Sequence, residues 1–282
     1  MKTEIYVMTH KACAIPNIEG YVRLQVGSAL HDDLGYMRDD EGDDNISDLN
    51  PFYAELTGMY RLWRVPTDAD NIGICHYRRF FINEDKKIMT MPEYEKMLED
   101  DDIVAAIAEN DIPYFELFSQ AHHIDDLMAV GKAIKELYPE DSWAFEEMLK
   151  SYRITYGNLC VMPREQFFSY CEWLFTVLLK AGEYIDVSEY DEYHRKVFGI
   201  LAESLLWVYI NARNLKMKEC RAGFFGLKAE TEELIRLLQV LLNNGEKEKA
   251  RKLYHDTMKL RPDLTSPESD LDGTLAALGE KL

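Results

Sequence analysis

The sequence predicts an α/β fold, for three reasons. A β-branched and aromatic run at residues 5–8 has the pattern of a short buried strand. Apolar residues then recur at helical spacing after Pro51, and a second buried run follows at residues 72–75. Two short strands on either side of a helix form a βαβ unit. With 282 residues, 47% of them hydrophobic, the chain is long enough to bury one substantial core.

The first half of the chain alternates strand, loop and helix. The run at residues 5–8 stops at polar residues, as a buried strand does where it enters a loop. Residues 31–50 are acidic and loop-like, and so long a loop inside a domain is usually functional or mobile. The helix that begins at Pro51 ends near Pro66. Its apolar positions are Phe52, Leu56, Met59, Tyr60 and Trp63.

The second half is richer in helices. Residues 93–110 fit a helix or, around residues 103–104, a strand, and the pattern does not decide between the two. The later elements comprise three helical segments and one strand. The helical segments lie at residues 123–151, from Pro163 onward and at 191–213, and the strand lies at residues 159–162.

The sequence changes character at about residue 229. Two helices are predicted over residues 229–260, joined at Asn243-Asn244-Gly245. One such pair is similar to a tetratricopeptide unit, but a repeat array needs about three units for stability. We therefore predict a main domain over residues 1–228, and a helical hairpin appendage with a frayed tail over residues 229–282.

Composition excludes several classes of protein. A net charge of −19 and a sequence pI near 4.8 repel phosphate backbones and anionic lipids, so no nucleic-acid partner is expected. The N-terminal apolar run is too short for a signal peptide, and no window reaches the roughly 20 apolar residues of a membrane-spanning helix. The five cysteines are widely spaced without a CxxC pair, as buried thiols in a reducing compartment are. A cytoplasmic protein without a transmembrane segment is predicted.

A basic pair follows the second predicted strand. Arg78 and Arg79 come directly after the buried run at residues 72–75 and its neighbour His76. Guanidinium groups suit diphosphates because they donate several hydrogen bonds in a fixed geometry and stay charged. In so acidic a chain, a local basic group indicates a phosphate ligand. The alternative is that both arginines pair with surface carboxylates.

An ordered series of motifs resembles a bacterial polysaccharide-locus family, long known as a domain of unknown function and described as glycosyltransferases. The motifs are Thr9-His10-Lys11, Gln25-Val26-Gly27, Asp44-Asn45-Ile46-Ser47, Asn50, Ala54-Glu55-Leu56-Thr57, Tyr60, Trp63, Ile72-Gly73, His76-Tyr77-Arg78-Arg79, His122-His123-Ile124-Asp125-Asp126-Leu127, Asn158, Tyr170-Cys171-Glu172-Trp173-Leu174-Phe175 and Phe198-Gly199-Ile200-Leu201-Ala202-Glu203-Ser204-Leu205. They span roughly residues 5–210. The family has an arginine where this chain has Ser204, and its usual Asn-Met-Phe-Ile-Met is here Asn158-Leu159-Cys160-Val161-Met162.

The resemblance implies a fold similar to GT-A glycosyltransferases: a single Rossmann-like α/β domain with a mixed central sheet and a helix-rich C-terminal half. It implies a nucleotide sugar, with a UDP-sugar foremost, as donor and a saccharide or lipid-linked saccharide as acceptor. The residues expected at the donor nucleotide and its diphosphate are Thr9, His10, Lys11, His76, Arg78 and Arg79. Most GT-A enzymes place an Asp-X-Asp metal motif after a central strand, whereas this chain has His76-Tyr77-Arg78-Arg79 there. We therefore expect cationic side chains to replace a metal, so that no cofactor is required.

The acidic loop offers an alternative in which Mn²⁺ or Mg²⁺ binds, because hard cations prefer carboxylate oxygens. The ligands would be Asp39, Asp40, Asp43 and Asp44. A solvated acidic loop fits the same residues.

Glycosyl transfer needs a carboxylate as base for the acceptor hydroxyl, or one that stabilises an oxocarbenium-like state. The candidates are Glu203, Asp125 and Glu55. Glu203 stands in an apolar helical stretch, where a carboxylate must find a partner or carry a raised pKa. An ion pair with an arginine is the alternative for Glu203, and backbone amides are alternative partners for Glu55.

Polar and aromatic residues near these motifs are candidates for acceptor or sugar contacts. They are Tyr77, His122, His123, Asn158 and Trp173. Adjacent residues on a helix point apart, so His122 and His123 also fit a pair with one buried and one exposed member.

Two functions from different classes fit the sequence. The first is transfer of a sugar, galactose or galactofuranose as the first guess, in capsular or exopolysaccharide synthesis. The second is a non-catalytic carbohydrate-binding or scaffold protein whose C-terminal hairpin binds a partner. Aromatic residues, 12% of the chain, serve either function by stacking on sugars. Peripheral contact with a membrane is compatible with both.

Overall fold

The computed structural model describes residues 1–13, 15–225, 229–265 and 274–282. The chain has the predicted α/β fold with a mixed central sheet, and it divides into two compact units, Met1–Gly223 and Phe224–Leu282. The strands of the described residues are β1 (Thr3–Thr9), β2 (Tyr21–Gln25), β3 (Met37–Arg38), β4 (Asn71–His76), β5 (Arg79–Ile82), β6 (Ile103–Glu109), β7 (Arg153–Pro163), β8 (Met217–Glu219) and β9 (Arg221–Phe224).

Helices cover the sheet of the first unit and make up the second. Local sequence sets their ends: α3, for example, begins in a capping box, where Glu93 accepts the Thr90 amide at 2.7 Å. The α-helices are α1 (Asn50–Tyr53), α2 (Leu56–Arg64), α3 (Met91–Met97), α4 (Tyr114–Ala121), α5 (Ile124–Leu137), α6 (Ser142–Lys150), α7 (Arg164–Ala181), α8 (Val197–Ala212), α9 (Ala229–Asn243), α10 (Lys247–Leu260) and α11 (Thr274–Lys281). Short 3₁₀ helices lie at Ser28–Leu30, Ser47–Leu49, Pro139–Asp141, His194–Lys196 and Pro262–Thr265.

The sheet has the strand order β3-β2-β1-β4-β7-β6-β8, and β5 pairs with β4 off this path. β1, β2 and β4 are parallel, whereas β7 is antiparallel to β4 and to β6. Met8 lies opposite His76, and Thr9 lies opposite Gln25. Because Ile74 pairs with Cys160, the first half of β7 extends past the end of β4. The ends of three parallel strands therefore meet the start of β7 at one edge of the sheet.

Both faces of β1 are buried, because its residues alternate between two cores. Tyr6 and Met8 belong to the larger core, to which α2, α5, α7 and α8 contribute, and Ile5 and Val7 belong to a smaller core with α3. Gly73 in β4 allows close packing, since a Cβ there would stand 2.2 Å from Ile5 Cδ1. Strands buried on both faces are continuously apolar, which is why the sequence predicts β1 and β4.

Several elements differ in detail from the predictions. The helix after Pro51 is two helices, because Ala54 between them has a φ of 48°. The open choice at residues 93–110 is resolved as α3 followed by β6. The pattern at residues 123–151 is α5 and α6, and the helix predicted over residues 191–213 begins only at Val197.

The second unit is helical. α9 and α10 form a hairpin that turns at Gly245, whose φ is 76°. α11 adds a third helix, and Leu264 and Leu275 are buried with Leu238 in one small core. Within the predicted frayed tail, residues 262–265 form a 3₁₀ helix and Thr274–Lys281 forms α11, and their leucines pack in this core. Residues 266–273 and the predicted boundary at residue 228 lie outside the described residues.

Within the described residues, no helix combines the length and apolar character needed to cross a membrane.

Candidate active site

A group of basic side chains lies where β1 and β4 end. The rings of His10 and Tyr77 meet edge to face with centroids 5.6 Å apart, and Lys11 Nζ lies 5.3 Å from the Tyr77 centroid. The guanidinium of Arg78 lies 5.8 Å from the same centroid. The structure thus brings three of the sequence-predicted residues together around the ring of a fourth, Tyr77, where cation–π attraction holds the two cations.

Two further basic residues join this group, although the sequence analysis does not single them out. The His10 side chain keeps contact with solvent, but its pKa is lowered by desolvation and then by the positive charges of Lys11, Lys196, His31 and Arg78. We call His10, Lys11, His31, Arg78 and Lys196 the basic cluster. Four different chain segments contribute to it, so no local sequence motif contains it.

Thr9 shapes the loop that carries part of the basic cluster. It is buried, and its hydroxyl donates to Lys11 O at 2.6 Å and accepts the Lys11 amide at 3.2 Å. These two bonds close a tight turn after β1. The structure thus gives Thr9 a part in positioning Lys11 beside Tyr77.

A second polar group lies beside the basic cluster, between β4, β7 and the two helices α1 and α8. Glu55 Oε1 accepts from Asn158 Nδ2 at 2.6 Å and lies 3.5 Å from His76 Nε2. Asn158 Nδ2 also donates to Gly199 O at 3.1 Å. We call Glu55, His76, Asn158 and Glu203 the carboxylate cluster.

A bulge in β7 shapes the carboxylate cluster. The pairing of β6 with β7 shifts between Ala105 and Ile107, and Gly157 and Asn158 both have positive φ, 67° and 53°. Left-handed backbone at a non-glycine residue is uncommon and is found at functional sites. The bulge turns Gly157 O toward His76, whose Nε2 donates to it at 2.8 Å.

Burial shifts the pKa values in the carboxylate cluster. Burial raises the pKa of Glu203 to about 7, and the charge of Glu55 adds to this. The charge of Arg79 and the hydrogen bond from the Gly157 amide lower the pKa of Glu203 in part. Burial lowers the pKa of His76 against the opposing charge of Glu55. At neutral pH the cluster therefore combines a neutral imidazole with a carboxyl group that gains and loses its proton near pH 7.

Arg79 belongs with the carboxylate cluster rather than with Arg78. Its guanidinium lies 5.1 Å from the Tyr156 ring centroid, and its Nη1 lies close to Gly157. His76 and Arg79 pair across the turn between β4 and β5. Arg78 lies in this turn and Arg79 begins β5, and the two arginines contact two neighbouring groups.

His122, His123 and Asp125 lie in a third group at the start of α5. His123 stacks on Tyr190 at 4.4 Å, and His122 stacks on Tyr193 at 5.7 Å. Asp125 is exposed, whereas its neighbour Asp126 is buried and accepts from the Tyr190 hydroxyl at 2.9 Å. Asp125 thus lies on the solvent side of this third group, and its role as a catalytic carboxylate stays a prediction.

Trp173 is not positioned to contact a sugar. Its side chain is 3% exposed in the larger core, and its indole nitrogen donates to Asp141 Oδ2 at 2.9 Å. The spacing of its motif on α7 reflects core packing, so the predicted acceptor contact at Trp173 is corrected to a structural role.

Hydrogen bonds and ion pairs fix the acidic loop to the neighbouring elements. Asp39 is fully buried and accepts from two amides and two hydroxyls. These donors are Gly27 N at 2.7 Å, Ser28 N at 2.9 Å, Ser47 Oγ at 2.5 Å and Thr57 Oγ1 at 2.6 Å. Asp40 pairs with Arg38, Asp44 pairs with Arg64, and Asp43 is exposed.

These bonds occupy Asp39, Asp40 and Asp44, three of the four carboxylates that the alternative metal site would use. Across the described ranges, no three His, Cys, Asp or Glu side chains are grouped as metal ligands. The sequence alone did not reveal this, because the four partners of Asp39 lie 8, 11, 12 and 18 residues away.

Comparison with known proteins supports the fold assignment. Residues 4–214 match a family described as a domain of unknown function, DUF4422. The match covers most of the chain, so this protein belongs to that family.

A solved structure is similar over much of the chain. The apo structure of WbbM, a bifunctional glycosyltransferase, superposes with a TM-score of 0.70 at 30% sequence identity. The similarity covers 80% of this chain and 46% of the WbbM chain, so this chain spans less than half of that protein. No curated protein matches the sequence. The fold is thus of the glycosyltransferase type, similar to GT-A enzymes.

Proposed function

We propose that this protein is a glycosyltransferase that moves a sugar from a nucleotide donor, a UDP-sugar foremost, to a saccharide acceptor. The observation that carries the proposal is the carboxylate cluster beside the basic cluster, both at the edge where parallel strands end. Open α/β sheets bind ligands at this edge. The similarity to WbbM, named as a glycosyltransferase, supports the same activity.

Each group has a distinct role in the proposed reaction. The bond between the sugar anomeric carbon and the diphosphate oxygen breaks, and the anomeric carbon bonds to the acceptor oxygen. Lys11 and Arg78 neutralise the charge that develops on the departing diphosphate. Glu203 takes the proton from the acceptor hydroxyl, because a base with a pKa near 7 is the most effective at neutral pH.

Glu55 supports this base. Its charge keeps the pKa of Glu203 high, and the hydrogen bond from Asn158 holds it in place beside His76. A fixed carboxylate also stabilises positive charge on the sugar ring in the transition state. Tyr77, His122 and His123 are proposed to contact the acceptor or the sugar, and Asn158 is proposed to act at the sugar through its bond to Glu55.

Transfer and donor hydrolysis test the proposal. The wild-type protein is incubated with a panel of nucleotide sugars that includes UDP-galactose and UDP-galactofuranose, with and without capsular saccharide acceptors. Release of the nucleoside diphosphate, abolished in Glu203→Gln and kept in the exposed control Glu172→Gln, is expected. Glycan binding without any turnover would instead indicate the non-catalytic carbohydrate-binding protein.

We further propose that transfer does not require a divalent metal, because fixed cations of the basic cluster supply the charge. Activity should persist in excess EDTA, measured as nucleoside diphosphate release. Arg78→Lys should reduce kcat although the charge is kept, since the bidentate fork is lost. Loss of activity in EDTA with full recovery on adding Mn²⁺ or Mg²⁺ would contradict the proposal.

A further inference from the structure

The turn His194–Lys196 brings a lysine to the candidate active site from a distant part of the sequence. This turn immediately precedes α8, the helix that carries Glu203, and it packs against α1. α1 in turn begins at Asn50, whose side chain lies against Gly27 just beyond the end of β2. The packing on α1 places this turn at the same sheet edge, where the positive charge of Lys196 acts on His10 together with those of Lys11 and Arg78.

The turn is held in this place by its neighbours. His194 Nδ1 lies 2.8 Å from Asp191 Oδ2, and His194 Nε2 lies 3.2 Å from Ala121 O. The Lys196 amide donates to Tyr193 O at 3.3 Å, which closes the turn. The backbone of Lys196 is thus fixed, whereas its side chain is exposed and able to reach a ligand.

The cations of the basic cluster have no carboxylate partner within the described part of the chain. Lys11, Arg78 and Lys196 form no ion pair there, whereas Arg64, Arg153 and Arg213 each bind a carboxylate. In a chain with 51 acidic and 32 basic side chains, such a group is unusual. Like charges that gather without a counter-ion repel one another, and an anionic ligand removes this cost.

We propose that Lys196 binds the diphosphate of the nucleotide donor, together with Lys11 and Arg78. This inference rests on the proposed function. A diphosphate presents oxygens on two phosphorus atoms, which suits cations that approach from different chain segments. Arg78 offers a planar fork, and the two lysines act as point charges. The strand ends supply two of the cations, and the turn before α8 supplies the third.

Isothermal titration calorimetry on the full chain tests the proposal. The probes are UDP, GDP, ADP, inorganic pyrophosphate and uridine, which has the base and ribose without phosphate. The variants are Lys196→Gln, Lys196→Arg and the control Lys135→Gln, an exposed lysine on α5. Thermal denaturation of each variant checks that the fold is kept.

Lys196→Gln is expected to weaken the best-bound nucleoside diphosphate and pyrophosphate about tenfold, as loss of one charged hydrogen bond does. It should leave uridine binding unchanged and reduce the salt dependence of diphosphate binding. Lys196→Arg should lose less affinity for the diphosphate probes than Lys196→Gln does, and Lys135→Gln should bind all probes as the wild type does. The proposal would be overturned if Lys196→Gln lost affinity for uridine and UDP equally. It would also be overturned if the variant bound both the nucleoside diphosphate and pyrophosphate as tightly as the wild type does.

The outcomes separate this inference from the proposed function. If Lys196→Gln weakens diphosphate binding but no donor is turned over, Lys196 is a phosphate ligand of a protein with another activity. If donors are turned over and Lys196→Gln binds UDP normally, the function stands and the assignment of Lys196 fails. If the wild type binds neither pyrophosphate nor any of the three nucleoside diphosphates, the assignment also fails.

Discussion

Glu203 shows how a single side chain acquires a reactive pKa. The carboxyl group sits on an apolar helix, where burial and the charge of Glu55 disfavour its ionised form. Arg79 and the Gly157 amide limit the shift but do not cancel it. The result is a group that exchanges its proton at neutral pH, as an acid or base catalyst must.

The first prediction concerns the pH dependence of stability. The folded protein holds the Glu203 proton up to about pH 7, whereas the unfolded chain releases it near 4.5. The free energy of unfolding should therefore fall as the pH rises from 4.5 to 7. Glu203→Gln has no carboxyl group to ionise, so it does not lose this stability at higher pH. Its free energy of unfolding at pH 8 should exceed that of the wild type by on the order of 3 kcal/mol. Urea denaturation at pH 5 and pH 8 measures the difference.

The control for this experiment is Glu172→Gln, an exposed residue on α7. It should change the stability equally at both pH values. If Glu203→Gln also has the same effect at pH 5 and pH 8, Glu203 does not carry a raised pKa.

At the scale of elements, the bulge in β7 links the strand to the site. Gly157 has a φ of 67°, and a Cβ there would stand 2.8 Å from Leu159 Cδ1 and 3.2 Å from Arg79 Nη1. The glycine thus allows the turn that directs its carbonyl to His76 and leaves room for Arg79.

Gly157→Ala should accordingly lower both stability and activity. A left-handed alanine costs about 1–2 kcal/mol, and the new methyl group should displace Arg79. Gly35→Ala is the matched control, because Gly35 has a φ of 73° but nothing within 4 Å of its Cβ position. Both variants should unfold at lower urea concentration, and only Gly157→Ala should reduce turnover. Equal turnover in the two variants would show that the bulge does not contribute to catalysis.

Elements with a simple pattern could be predicted from the sequence, and elements that depend on distant partners could not. β1 and β4 are continuous apolar runs, and α7 has a long helical pattern. β2 was missed because Arg23 interrupts its apolar pattern, and β5 because Arg79 begins it.

The same distinction holds for the site. His10, Lys11 and Arg78 follow predicted strands, so their shared position could be expected. Lys196 joins them because its turn packs on α1, and a local sequence pattern does not indicate this packing. Asn158 was selected by resemblance alone, and its bond to Glu55 crosses 103 residues.

The segment from Tyr190 to Lys196 should act as one element. Tyr190 stacks on His123 and binds Asp126, while His194 binds Ala121 O. Tyr190→Ala should loosen the segment, speed amide hydrogen exchange at the turn and weaken UDP binding through Lys196. Tyr184→Ala is the control, because Tyr184 precedes this segment and binds Glu136 instead. Unchanged exchange at residues 194–196 in Tyr190→Ala would show that the turn is held by other contacts.

On the scale of the whole molecule, the two units have separate cores. The residues proposed to bind donor and acceptor all lie within Met1–Gly223. The core of the second unit consists of its own apolar side chains, mostly leucines together with Ile235 and Ala250.

A chain that ends after residue 228 should therefore bind nucleoside diphosphates as the full chain does. Calorimetry with UDP checks this, and circular dichroism confirms that the shortened chain is folded. A folded shortened chain that has lost UDP affinity would show that the second unit takes part in donor binding.

The uneven distribution of charge also sets how fast a nucleotide arrives and leaves. A donor anion far from the surface meets the field of a chain with net charge −19, which repels it, whereas near the basic cluster the local positive charge attracts it. Salt screens the distant field over about 8 Å at physiological ionic strength and so assists the approach, while it also weakens the final contacts. Both association and dissociation should therefore quicken as salt rises, which favours rapid exchange of spent nucleotide for fresh donor.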